Sequence, residues 1–175
     1  MLAANSPLAI PEEGKIMTNS LAFTAAEWDL LESAPMLAGL LVGDLVNPAR
    51  WLPELYAVFN AAESMAGDSG SVLIRAVTER MLAREGDVVD LPVDLPNSPL
   101  EARTYLIAGC VQAARLVAEK APAEAPAFRA WLLQLAREAA EATKKGGFLG
   151  FGGRSISPQE QTILHELATA LEVTA

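Results

Sequence analysis

Two groups of residues in this chain could do chemistry. The first is Asp44, Glu63 and Asp68, three carboxylates in its first half. Hard divalent cations take oxygen ligands, so these carboxylates, if gathered at one point, could hold magnesium, manganese or calcium and activate water for hydrolysis. The second is Lys144-Lys145-Gly146-Gly147-Phe148-Leu149-Gly150-Phe151-Gly152-Gly153-Arg154, which contains five of the chain's twelve glycines. Glycine admits positive φ and close backbone approach. The amides of Gly147, Gly150 and Gly152 just ahead of a helix start, with Lys144, Lys145 and Arg154 beside them, could therefore bind a small anion.

Other reactive side chains point away from catalysis. Cys110, the single cysteine, falls on an apolar helical stripe with no neighbouring histidine or helix start to lower its pKa, so it reads as a buried structural thiol. The single histidine, His165, falls on the polar side of the last helix and reads as exposed. Asp44 closes an apolar run, so its plainer reading is a helix-end residue reaching water. The glycine loop lacks the Gly-Lys-Ser/Thr of a Walker A loop, and a helix rather than a strand precedes it, which excludes a dinucleotide fingerprint. Zinc-protease, di-iron and nucleophile-elbow motifs are absent, and no cofactor is expected.

The elements that must position these residues read as helices throughout. Thr24 with Glu27 forms a capping box, and Phe23 with Trp28 a hydrophobic staple. That helix is expected to stop or kink at Ser33-Ala34-Pro35, with a second, buried helix running from Met36 to Val46. In it, Gly39 and Gly43 form a small-xxx-small pair that lets another helix come close. Leu52, Leu55, Phe59 and Ala62 share a face of the next helix, with Glu63 at its edge, and Leu73, Ile74, Val77 and Met81 form the stripe after that. The repeated Val-Asp-Leu-Pro of Val89–Pro96 cannot continue a helix and is expected to form an extended strap packed on its own protein. Ser98-Pro99-Leu100-Glu101 restarts the helix with a second capping box, and Ile107, Cys110, Val111, Ala114, Val117 and Ala118 are expected to share its buried face. Phe128, Trp131, Leu132, Leu135, Ala136, Ala139 and Ala142 make the most continuous stripe, tapering to alanine toward the glycine loop. Ser157 with Glu160 caps the final helix.

The two ends carry a resemblance. The Phe23-Thr24-x-x-Glu27-Trp28 start, with Lys144-x-Gly-Gly-Phe-Leu-Gly-Phe-Gly-Gly leading to Ile156-Ser157-x-x-Glu160, resembles small all-helical bacterial proteins of uncharacterised activity. It implies a helical fold and no reaction. A looser similarity is to TerB-like helical domains of tellurite resistance, some of which have acidic metal-binding positions. None of those positions matches a residue here one by one.

With 175 residues, 51% hydrophobic and 20% charged, the chain is long enough for one domain with a real core. The expectation is a single all-α bundle of about six helices over residues 23–175, after a disordered leader at 1–22 in which Met17 offers a second start position. A formal charge of −9 argues against nonspecific attraction to nucleic acid or anionic membrane. It also weighs against insertion of the Gly-Phe loop into a bilayer. One cysteine excludes an internal disulfide, and a reducing cytosol is the expected setting. The functional expectation is a non-catalytic interaction module acting by self-association or on a protein partner. The alternatives are a small anionic ligand at the glycine loop and a carboxylate metal site.

Overall fold

The computed structural model describes residues 21–43, 52–83, 95–96, 98–145 and 156–173. They form six helices and no strand: α1 Ala25–Leu40, α2 Leu52–Asp68, α3 Val72–Ala83, α4 Pro99–Lys120, α5 Ala125–Lys145 and α6 Pro158–Ala170. Helix α1 is the axis of the bundle and packs on α2, α3, α4 and α5; α6 closes the far side against α5 and α4.

The start of α1 is fixed as its sequence requires. Thr24 Oγ1 accepts from the Glu27 amide at 3.3 Å, and Glu27 Oε2 accepts from the Thr24 amide at 2.7 Å. The Phe23 and Trp28 rings meet edge-on, 5.2 Å apart, across the first turn. The helix does not stop at Pro35: α1 runs through the proline and ends at Leu40, where the Gly43 amide donates to the Leu40 carbonyl at 3.1 Å. An interior proline removes one helical hydrogen bond and costs about 3 kcal/mol in an exposed helix. Here Leu31, Ala34, Leu37 and Ala38 around it are all buried, and burial of each large side chain contributes about 1.5–3 kcal/mol, which outweighs the local penalty.

Gly39 behaves as its spacing suggests. A Cβ there would lie 2.2 Å from Val58 Cγ2, so the Val58 side chain of α2 packs directly on the α1 backbone. Gly43, its expected partner, sits in the turn beyond the helix. On α5, Phe128, Trp131, Leu132, Leu135, Ala136 and Ala139 are buried as a single stripe, and the alanines form its close-packed end.

At α4 the expected capping box is absent. Ser98 makes no side-chain cap bond, and the helix opens instead on Pro99, whose fixed φ preorganises the first turn; the Ser98 carbonyl accepts from the Ala102 amide at 2.8 Å. The box at α6 is present, with Glu160 Oε2 accepting from the Ser157 amide at 2.6 Å and Ser157 Oγ accepting from the Glu160 amide at 3.2 Å. Of the Val-Asp-Leu-Pro strap, only Leu95 and Pro96 lie within the described residues, and Leu95 packs against the core. The leader up to residue 20 lies outside them.

Candidate functional site

The three carboxylates do not form a common centre among the described residues. Glu63 and Asp68 are both exposed on α2, and their five-residue spacing turns them about 140° apart around the helix. Asp44 lies outside the described residues. No group of three histidine, cysteine or acidic side chains among the described residues could hold a metal ion. Of the anion-binding set, Lys144 and Lys145 are the last two residues of α5, while Gly147, Gly150, Gly152 and Arg154 lie outside the described residues. His165 is exposed, as read from the sequence. Cys110 is fully buried against α1, its Sγ 3.9 Å from the Ala34 carbonyl, and burial pushes its thiol up to about 12, so it stays protonated and inert at neutral pH.

Three polar joints not anticipated from the sequence hold the helices together. Glu32, on α1 and only 4% exposed, accepts from Arg80 Nε on α3. The Arg80 guanidinium lies 4.7 Å over the Trp28 ring, so one cation serves both a carboxylate and an aromatic face. Ser71 Oγ accepts from the Ile74 amide at 3.0 Å, capping α3, and donates to Glu124 in the α4–α5 turn. Lys120, ending α4, meets the Glu27 carboxylate at 2.6 Å. That ammonium, and then the Thr24 amide, hold the Glu27 carboxyl below the usual carboxylate range. Glu32 could have been singled out from its Trp28, Glu32 spacing on one helical face; Arg80 carries no such mark. All three joints are spent on fixing helix positions.

One surface is not spent in that way. Helix α4 buries Ala102, Leu106, Cys110, Ala113, Ala114 and Val117. Ile107, Val111 and Ala118, expected on that buried face, are turned to its flank and only half-buried. Gly109 suits this rotation: a Cβ there would lie 2.5 Å from Leu37 Cδ1, so the missing side chain leaves room for α1's leucine on the inner side of α4. The apolar sector of the sequence is wider than the groove that receives it.

The excess forms an outer face. Thr104, Ile107, Ala108, Val111, Gln112 and Arg115 line a shallow open depression of about 640 Å³, and every described residue lining it comes from α4. Leu100, 68% exposed, continues the stripe at its N-terminal end, and Tyr105, 48% exposed, stands beside it. The uncharged stretch from Thr104 to Gln112 is bounded by Glu101 one turn before and Arg115 one turn after, both exposed and without an ion-pair partner among the described residues.

Comparison with known proteins adds nothing to this geometry, because no family model, no curated protein and no solved structure matches the chain. Among the described residues, no helix is long and apolar enough to cross a membrane.

Proposed function

We propose that the protein is a non-catalytic helical interaction module, and that the outer face of α4 docks an amphipathic helix of a partner. The observation that carries this reading is the outer face of α4, where exposed Leu100 and Ala108 flank the half-buried Ile107 and Val111, and where positions 100, 104, 107, 108 and 111 recur at the three- and four-residue spacing that a helix lying alongside requires. A helix of 22 residues offers about 33 Å of continuous contact, six turns deep. The ledge is apolar in its middle and charged at its ends, which suits helix-to-helix packing better than capture of a small polar molecule. A cytosolic setting is part of the proposal, since the one cysteine serves packing and not a disulfide.

Site-specific photocrosslinking tests this reading. A photoreactive amino acid placed at Leu100 or Ala108, and separately at exposed His165 as a control face, is illuminated in cells making the full chain. The expected result is an adduct at the two α4 positions alone, mapping by mass spectrometry to an amphipathic helix. Adducts that are absent from α4, or equally abundant at His165, contradict it.

A further inference from the structure

Building on that reading, we infer that the helix received by α4 is α4 of a second copy of this chain, laid antiparallel about a two-fold axis at Ala108. The pattern of the outer face is self-complementary about that residue. Glu101 lies seven residues before Ala108 and Arg115 seven after it. In an antiparallel pair centred on Ala108, residue 108 − n of one copy lies at the same height as 108 + n of the other. Glu101 then meets the other copy's Arg115, a pair that occurs twice as an isologous interface demands. Side chains on the same edge of the contact stripe face one another in antiparallel packing. Glu101 and Arg115 share such an edge, both lying on the same side of the line through Thr104 and Val111.

The chemistry of each position suits the arrangement. Ala108 at the axis is small enough for close approach of the two backbones. Ile107, one residue from the axis, meets its own image and supplies apolar burial at the centre. Charge makes the pairing selective. Each copy carries a formal −9, so association through an arbitrary surface is opposed by repulsion. This face instead offers one base and one acid placed so that the two-fold operation neutralises both. A helix of unrelated origin has no need of a palindrome on its receptor; a second copy does.

The test is native mass spectrometry and sedimentation velocity on the full chain, with Glu101→Arg and Arg115→Glu made separately and then mixed. The wild-type chain is expected to dimerise. Each single reversal sets like charges opposite one another twice and is expected to weaken the homodimer at least tenfold. Mixing the two variants restores both pairs, so a heterodimer of near wild-type affinity is expected, a result that mere loss of folding would not give. Far-ultraviolet circular dichroism of each variant confirms that the helices are retained.

A dimer indifferent to both reversals overturns the inference, because the copies then associate elsewhere. A wild-type chain that stays monomeric at high concentration also overturns it. If photocrosslinking at Leu100 and Ala108 nevertheless captures a helix of another protein, only the identity of the partner fails. If α4-specific adducts are missing as well, the reading of α4 as a docking face fails with it.

Discussion

The two faces of α4 are close in composition and opposite in fate. The inner face presents Leu106, Cys110, Ala113 and Val117 to α1 and α5 and is sealed, whereas the outer face exposes Leu100 and Ala108 and leaves Ile107 and Val111 half-buried, packed on the core along one edge. Hydrophobicity alone therefore does not decide which side of a helix becomes core; fit contributes, as where Gly109 leaves room for Leu37 on the inner side. The apolar residues left over after that fit are the ones available for another molecule.

The contrast is broken most severely by one substitution made on each face. Leu106→Ala removes a side chain with no exposed surface and is expected to cost about 2–5 kcal/mol, while Leu100→Ala is expected to change stability of the isolated chain by no more than about 0.5 kcal/mol. Urea denaturation at low protein concentration measures both. Equal losses would mean that the outer face contributes to folding as much as the inner.

A smaller effect compares the two glycines at which helices meet. Gly39→Ala presses on Val58, a β-branched side chain with one favoured rotamer, and is expected to cost about 1–3 kcal/mol. Gly109→Ala presses on the far end of the more adaptable Leu37, and it gains about 1 kcal/mol of helix propensity, so its net cost should be lower. Thermal midpoints rank the two. The reverse order would mean that Leu37 cannot give way and that the contact at Gly109 is the tighter of the two.

The smallest effect concerns the charged seam where α4 ends against the start of α1. Lys120 holds the Glu27 carboxyl below its ordinary value, so the stabilisation it gives is present at neutral pH and is lost as pH falls through the folded-state value. Glu27→Gln is expected to lower stability slightly above the ordinary glutamate pKa of about 4.3, with little change well below it, and so to flatten the acid limb of the stability profile. Chemical denaturation midpoints across that range check the sign. A larger effect at acid than at neutral pH would contradict it.

How much of this can be read in the sequence differs from element to element. The boxes at Thr24 and Ser157 are legible because they are local: two side chains and one turn settle them. Ser98 has the same letters without the same bonds, since Pro99 organises the turn by itself. Pro35 misleads for the opposite reason: its local cost is real, but the surrounding burial is invisible to a reading that stops at nearest neighbours. The full burial of Cys110 and the exposure of His165 follow from helical spacing. The outward turn of Ile107 and Val111 does not, because it follows from how α4 packs on partners distant in sequence, such as Leu37, 72 residues before Gly109. For the same reason, the union of Glu32 with Arg80 is out of reach, as it joins two helices through a contact spanning 48 positions.

Positions 108 and 110, two residues apart, fall on opposite sides of the divide between docking face and core, and thiol labelling reads both in one protein. In Ala108→Cys, maleimide labelling followed by mass spectrometry should find residue 108 reacting rapidly at high dilution and progressively protected as concentration rises, while Cys110 stays unreacted until the chain unfolds. Labelling of residue 108 at one rate across all concentrations and in cell extract, or labelling of Cys110 alongside it in the folded chain, would contradict the division of α4 into a core face and a docking face.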